Sequence, residues 1–253
     1  MLLSVAGISI VVVSSTALLS VYAPGYELHS ALISVSVWLI ISILMLTGLK
    51  YHPHKLFGWG NHVTAGRAAV TTLLAGFTPV ASQIPAESIW LWLIALTATC
   101  TLCLDGLDGY LARKTKLTSA YGARFDMETD ALLGLVITLF VWQSGKVGPW
   151  ILALGLMRYV FLAASIVFAQ LRAPLFPSLR RKTVCVIQVG ALCLMLCPWI
   201  KADAASAIGA AALFCLTWSF LVDTTWLFRH RQRFDCNTQS TIPGMHPNNE
   251  TSA

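Results

Sequence analysis

The chain has 253 residues, of which 57% are hydrophobic and 11% charged, and its mean hydropathy is +0.71. Soluble globular domains carry about 25% charged residues, so this chain lacks the charge that covers a water-soluble particle of its size. These figures argue against a soluble enzyme, a disordered chain or a small disulfide scaffold, and they indicate a membrane protein.

Eight stretches of the chain approach the length of about 20 largely apolar residues that a spanning helix needs. The third stretch is the most polar, because Asn61, Thr64 and Arg67 lie near its start. We therefore predict an all-α fold, a polytopic membrane helix bundle with about eight transmembrane helices. The predicted spans are 2–21, 30–49, 63–82, 88–107, 129–146, 149–170, 184–200 and 206–227.

Basic residues are distributed unequally between the two sides of this predicted bundle. Alternate loops hold most of the 17 Lys and Arg residues, whereas the opposite loops hold only Lys146 and Lys201. Because Lys and Arg accumulate on the cytoplasmic side of membranes, both termini are predicted to be cytoplasmic, in a multi-pass protein of the cell inner membrane. The net charge of +6 then reflects topology and attraction to anionic membrane lipids, with no nucleic-acid partner.

Five of the 11 acidic residues lie within one 26-residue segment that begins at the cytoplasmic end of the fourth span. Asp105 and Asp108 are three apart, and Asp126 and Asp130 are four apart, so each pair shares one face of a helix. A turn near 116–122 would bring the four carboxylates together, where they would repel one another unless a cation joined them. Hard oxygen ligands of this kind suit Mg²⁺ or Mn²⁺.

Small residues and one arginine accompany these acids. Gly109, Ala112 and Gly122 each lie about one helical turn from an aspartate, which leaves space for a ligand to approach the backbone. Arg113 can make a charge-assisted contact to a phosphate. The segment therefore predicts a metal-assisted site for a phosphate-bearing substrate, with two metal ions bridging a pyrophosphate.

The same segment resembles the signature of the CDP-alcohol phosphatidyltransferases at every fixed position and spacing. The resemblance covers 56–228, which it implies to be a six-helix catalytic core. Residues 1–55 would then form a two-helix membrane extension, and 229–253 a basic and then disordered cytoplasmic tail. The matching residues are Asp105, Asp108, Gly109, Ala112, Arg113, Gly122, Asp126 and Asp130.

This resemblance implies an integral-membrane phosphotransferase of phospholipid biosynthesis, which cleaves a CDP-linked donor with attack by an acceptor hydroxyl and release of CMP. It implies two divalent ions, Mg²⁺ or Mn²⁺, with Asp105, Asp108 and Asp126 as ligands. Asp130 would lie close to the metals and act as the general base. The cytidine and phosphate pocket would be lined by Gly109, Ala112, Arg113 and Gly122. A donor of the CDP-diacylglycerol type is favoured, the acceptor alcohol stays open, and family members often form homodimers.

A second, looser match lies upstream, where Asn61, Thr64 and Arg67 are similar to an Asn/Thr/Arg pattern that many family members carry at the head of the first core helix. By this resemblance, Asn61 and Thr64 would help to hold the nucleotide or its phosphates. The alternative is an ordinary helix start in which Asn61 caps the helix and Arg67 extends to the interface. For Arg67 itself a structural role stays open.

Cations further along the chain are candidates for binding the phosphate of an acceptor or lipid. Arg158 lies within a predicted span, where a charge is costly and usually functional. Arg181 and Lys182 belong to a basic turn that resembles the one before the family's fifth core helix, although an ordinary cytoplasmic loop explains them equally well. Glu128 lies within the motif but points about 100° away from its neighbours, which predicts that it is not a metal ligand.

Two other functions are compatible with clustered acids in a membrane protein. An intramembrane prenyltransferase also binds a Mg²⁺-pyrophosphate through Asp-rich helices, but its partner motif normally includes an Asn and lacks the pattern found here. A cation or proton transporter would place acids near the bilayer midplane on several helices. The acids here lie at two helix ends on one side, which favours the phosphotransferase.

Overall fold

The computed structural model describes residues 2–48, 58–114, 119–167 and 179–229. This part of the chain is all-helical, as the hydropathy predicts, and two short 3₁₀ segments, Thr78–Gln83 and Pro149–Ile151, join its α-helices. The α-helices are α1 Leu2–Tyr22, α2 Leu28–Gly48, α3 Trp59–Gly76, α4 Ile89–Lys114, α5 Ala120–Gln143, α6 Leu152–Val167, α7 Leu179–Leu196 and α8 Ala202–Arg229.

Four of these helices contain segments long and apolar enough to cross a membrane: Ser4–Tyr22, Leu28–Gly48, Ile89–Gly106 and Ala202–Thr225. Two shorter apolar segments, Pro149–Ala164 and Thr183–Leu196, lie in α6 and α7. The remaining helices, α3 and α5, share the polar motif residues with α4. The protein is therefore a polytopic helical membrane protein whose candidate site is formed by α3, α4 and α5.

Helix α3 lies at the centre of the described bundle and packs against α1, α2, α4 and α5. Small buried residues on α3, including Ala65, Ala68 and Ala75, allow these neighbours to approach closely. Gly76 shows how close the approach is, because a Cβ there would lie 2.3 Å from Ser34 Oγ on α2. A central helix with four neighbours is well placed to bring residues of distant segments together.

Polar contacts hold the first two helices to each other and to the segment that connects them. Trp38 Nε1 on α2 donates to Ser9 Oγ on α1 over 2.9 Å. The hydroxyl groups of Tyr26 and Ser34 lie 2.7 Å apart, and burial raises the pKa of Tyr26. Because these groups are shielded from competing water, the contacts define how the helices pack.

Helix α5 begins earlier than the hydropathy predicts. Ser119 caps it by accepting a hydrogen bond from the Gly122 backbone N–H over 2.9 Å, and the helix starts at Ala120. The predicted turn near 116–122 is therefore too long, because Gly122 lies inside the helix. Hydropathy missed this start because the first turns of α5 are polar.

At the opposite end of the bundle, Lys146 closes the C-terminus of α7. Its Nζ donates to the carbonyl oxygens of Met195 at 3.0 Å and Cys197 at 2.9 Å. A cation at this end satisfies terminal carbonyl groups and complements the helix dipole. Burial lowers the pKa of Lys146.

Candidate active site

Three carboxylates from two helices meet beside α3. Asp105 comes from α4, and Asp126 and Asp130 from α5, and one oxygen of each lies within 4.8 Å of the others. Their side chains are 28%, 32% and 38% exposed, respectively, so all three are partly accessible. The structure thus brings together three of the four aspartates predicted to converge.

Arg67 of α3 lies among these carboxylates. Its side chain is fully buried, and Nη1 lies 2.9 Å from Oδ1 of both Asp105 and Asp126. Nη2 donates to Asp130 Oδ1, and Nε donates to the Thr101 carbonyl oxygen over 3.1 Å. One guanidinium therefore joins α3, α4 and α5 through charge-assisted hydrogen bonds.

Three carboxylates converge on one guanidinium among the described residues. Like charges this close together repel one another, most strongly where they are partly buried. Converging carboxylate oxygens are the donor set that Mg²⁺ and Mn²⁺ prefer. The residues therefore fit a divalent cation in ligand type, which their spacing in the sequence predicts.

Four further motif residues lie on the same helix as Asp105. Asp108, Gly109, Ala112 and Arg113 belong to the last turns of α4, and Asp108 follows Asp105 by about one turn. Their backbone is helical, and their side chains lie outside the described part of the structure. Their assignments as metal ligand and pocket residues stay predictions.

Asn61 and Gly122 come together where α3 crosses the start of α5. A Cβ at position 122 would lie 2.7 Å from Asn61 Oδ1 and 3.2 Å from Ser119 Oγ. Only glycine allows this approach without a shift of the neighbours, which is a packing reason for the motif glycine. Two residues that the sequence predicts for one nucleotide pocket are thus neighbours.

Thr64 lies one turn before Arg67 on α3 and is 3% exposed. Its hydroxyl donates to the Gly60 carbonyl oxygen over 3.1 Å, within the helix. This bond occupies the hydroxyl hydrogen, so any contact of Thr64 with a nucleotide would use the oxygen as an acceptor.

Arg158 and Glu128 form an ion pair between α6 and α5. Arg158 Nη2 lies 2.9 Å from Glu128 Oε1, and the two side chains are 38% and 39% exposed. Arg158 Nε is buried and has no hydrogen-bond partner among the described residues. Glu128 lies outside the carboxylate cluster and pairs with a cation that the sequence predicts for acceptor binding.

Arg181 and Lys182 lie in the first turn of α7, which begins at Leu179. Their side chains are outside the described part of the structure, so the predicted contacts with an acceptor or lipid phosphate stay predictions.

The central position of Arg67 is the feature that the sequence pattern indicates least. Its partners are separated from it by 34, 38, 59 and 63 residues along the chain, so no local spacing identifies them. One signal was available: a permanently charged side chain near the start of a predicted span needs a compensating partner, and the acidic segment holds the nearest surplus of negative charge.

Comparison with protein families is consistent with this geometry. A family model described as CDP-alcohol phosphatidyltransferase matches residues 57–220, which include the carboxylate cluster, Arg67 and the ion pair of Arg158. The match begins after α2, so α1 and α2 lie outside it. No curated protein and no solved structure matched the chain.

Proposed function

Because the chain belongs to the CDP-alcohol phosphatidyltransferase family, we propose that it transfers a phosphatidyl or phospho-alcohol group from a CDP-linked donor to an alcohol hydroxyl and releases CMP. The observation that carries this proposal is the meeting of Asp105, Asp126 and Asp130 within 4.8 Å, inside the region that matches the family. Family membership makes the protein a transferase of phosphate-containing groups, and it favours this reaction over the prenyltransferase and transporter alternatives.

The carboxylates would hold the divalent cations. Asp105, Asp126 and Asp130 fit as ligands in the structure, and Asp108 would complete the set by its place one turn along α4. Bound Mg²⁺ or Mn²⁺, two ions in this proposal, supplies positive charge that neutralises a pyrophosphate and polarises its P–O bond. The protein's part is to fix the ligands, and α4 and α5 do this from two packed helices.

Asp130 would be the general base. It would take the proton of the acceptor hydroxyl while the acceptor oxygen forms a bond to the β-phosphorus and the bond from that phosphorus to CMP breaks. At 38%, its side chain is the most exposed of the three carboxylates, which suits a group that must meet an incoming acceptor. Its hydrogen bond to Arg67 Nη2 would hold it in place.

The nucleotide and its phosphates would bind where α3 meets α4 and α5. Asn61 and Gly122 adjoin there, and Thr64 lies one turn before Arg67. Gly109, Ala112 and Arg113, on the last turns of α4, would complete this pocket. Arg113 would contribute the positive charge toward the phosphates.

The acceptor would approach from the side of α6 and α7. Arg158 is the described cation on that side, and its ion pair with Glu128 links it to the helix that carries Asp130. Arg181 and Lys182 would add positive charge at the start of α7. These three cations suit a phosphate on an acceptor or a lipid.

The integral-membrane location follows from the apolar helices and the family. The distribution of Lys and Arg supports a cytoplasmic site with cytoplasmic termini in the cell inner membrane. The proposal includes a homodimer, which is supported by family resemblance only. It includes no nucleic-acid partner.

The proposal is tested by incubating the purified protein with CDP-diacylglycerol, a panel of alcohols and Mg²⁺ or Mn²⁺, and measuring CMP. We expect CMP release with at least one alcohol, its loss in excess EDTA, and its return when the divalent ion is restored. Replacing CDP-diacylglycerol with soluble CDP-alcohols and diacylglycerol tests the opposite placement of the lipid. Absence of metal-dependent CMP release from every pairing would overturn the proposal.

A further inference from the structure

An apolar groove runs along the surface between α1 and α3. It encloses about 560 Å³ and is lined from α1 by residues including Ser4, Gly7 and Val11, and from α3 by residues including His62, Gly66 and Leu73. This volume lies within the range of about 300–1,000 Å³ that is usual for small-molecule sites. Because α1 lies outside the family match at 57–220, the groove depends on the N-terminal extension of this chain.

The groove is polar at one end and apolar along the rest of its length. Its polar side chains, Ser4 and His62, lie at the starts of α1 and α3, and the lining beyond them is aliphatic or glycine. From His62 to Leu73 the groove follows α3 for about 16 Å at 1.5 Å per residue. This distribution of polarity matches a lipid, with its polar part at one end and a hydrocarbon chain behind it.

Two glycines keep the groove open. A Cβ at Gly7 or at Gly66 would meet no atom within 4 Å, so neither glycine is needed for helix packing. Val11 on the rim is 60% exposed, which opens the groove to the surrounding bilayer. A Cβ at either glycine would therefore enter open space in the groove, and a larger side chain there would occupy more of it.

The two helices that form the groove touch along its floor. Ile8 and Val12 of α1 pack with Ala69 of α3 in one buried cluster. A helix with its side chains is about 10–12 Å across, whereas a hydrocarbon chain is thin enough to lie between the rims of two touching helices. This geometry favours a lipid chain over a second copy of the protein.

The polar end lies at the same end of α3 as the predicted nucleotide pocket. His62 lines the groove on the α1 side of α3, and the residue before it, Asn61, lies against Gly122 at the start of α5. A lipid whose chain follows the groove would therefore have its polar part at the end of α3 where that pocket begins.

We propose that this groove binds one hydrocarbon chain of the lipid substrate and orients the reacting end of that lipid toward the carboxylate cluster. The inference rests on the proposed function for the identity of the lipid, and it assigns the N-terminal extension a role in substrate binding. Because bilayer lipid is as apolar as the groove, the groove contributes packing and orientation more than transfer from water.

A photoreactive CDP-diacylglycerol, with a diazirine in one acyl chain, tests the proposal in the full-length protein in vesicles. We expect cross-links to concentrate on 4–12 and 62–73 and to fall when unlabelled CDP-diacylglycerol is added in excess. Two results would overturn the proposal, because each would show that the probe labels the protein only from the surrounding bilayer. In the first, cross-links are spread over other exposed apolar surfaces, such as Leu39 and Phe214. In the second, the cross-links do not fall when the competitor is added.

Variants that fill the groove give a second readout. Gly7→Leu and Gly66→Leu should each lower kcat/KM for CDP-diacylglycerol about tenfold, because small misplacements of a substrate cost that much or more, and both should abolish the specific cross-links. The controls are Ala6→Leu, beside Gly7 on an exposed part of α1, and Gly190→Leu in α7, where a Cβ also meets open space. Equal losses in the controls, or no loss in the groove variants, would contradict the proposal.

The two proposals fail in different ways. If the wild-type protein releases no CMP from any CDP-alcohol but still gives competitor-sensitive cross-links in the groove, the proposed reaction is wrong and the lipid site stands. If CMP is released and the groove is not labelled, the reaction stands and the lipid site is wrong.

Discussion

Arg67 is the residue on which most of the site depends. Its buried guanidinium contacts three carboxylates and one carbonyl, and it joins three helices. Removing one partner of a buried ion network leaves uncompensated charge, which costs about 3–5 kcal/mol. The partial exposure of the aspartates places the expected cost at the lower end of that range.

We predict that Arg67→Met lowers the unfolding free energy by about 3 kcal/mol in EDTA, and that Mg²⁺ or Mn²⁺ raises the unfolding temperature of the variant more than that of the wild type. The physical reason is that the cation replaces the missing positive charge among the carboxylates. Thermal unfolding in detergent, with and without the metal, measures both effects. Arg158→Met, which breaks a more exposed ion pair, is the matched control, and an equal metal effect in both variants would contradict the assignment.

Glu128 offers a residue-scale test of acceptor binding. Its carboxylate holds Arg158 Nη2 at 2.9 Å, so it competes with any anion that Arg158 would bind. We predict that Glu128→Gln lowers KM several-fold for a phosphate-bearing acceptor, since an ion pair this exposed contributes about 0.2–1 kcal/mol, and leaves KM for a neutral alcohol unchanged. Steady-state CMP release with paired acceptors measures this, and an equal change for both acceptors would remove Arg158 from acceptor recognition.

At the scale of elements, the start of α5 connects α2 with the candidate site. Tyr121 lies beside Gly122, and its hydroxyl donates to the Met45 carbonyl oxygen of α2 over 3.0 Å. Burial raises the pKa of Tyr121 to about 12, so the phenol keeps its proton at neutral pH. A Cβ at Gly48 would lie 2.6 Å from the Tyr121 ring, which shows how closely α2 and α5 approach.

Tyr121→Phe should therefore lower the unfolding free energy by about 1 kcal/mol, the usual net value of one hydrogen bond, and reduce turnover modestly by loosening the first turn of α5. Gly48→Ala should cost more in both respects, because the ring would have to move. Urea or thermal unfolding and CMP release measured on the same preparations test this link. Unchanged stability in Gly48→Ala would show that α2 and α5 do not meet as described.

The helical elements also show what sequence reasoning can and cannot reach. Apolar stretches predict all eight α-helices of the described structure, because burial and the bilayer select for hydropathy. Hydropathy does not predict the start of α5, because the helix begins with polar residues after its Ser119 cap, and neither is an apolar signal. Hydropathy also does not predict the end of α3 at Gly76. The predicted span continues through Thr78–Gln83, which forms a 3₁₀ segment with a proline in its first turn.

At the scale of the whole molecule, sequence spacing predicts the carboxylate cluster but not the cation inside it. Two pairs of acids on adjacent helices can be brought together from their periodicity and a short connection. The place of Arg67 depends on which face of α3 meets α4 and α5, and that is decided by the packing of small residues along its length. The groove likewise depends on helix packing, because α1 and α3 form it from segments about 50 residues apart in the sequence.

The central claim is that the clustered aspartates, and not acidity in general, carry the chemistry. The most direct measurement compares CMP release by Asp130→Asn with that of Asp203→Asn, the same change at an exposed acid in the first turn of α8, with nucleotide binding measured on both. We predict that Asp130→Asn binds the CDP-linked donor but loses turnover by at least about a hundredfold, whereas Asp203→Asn retains wild-type turnover. Near-normal CMP release by Asp130→Asn would contradict its role as the base.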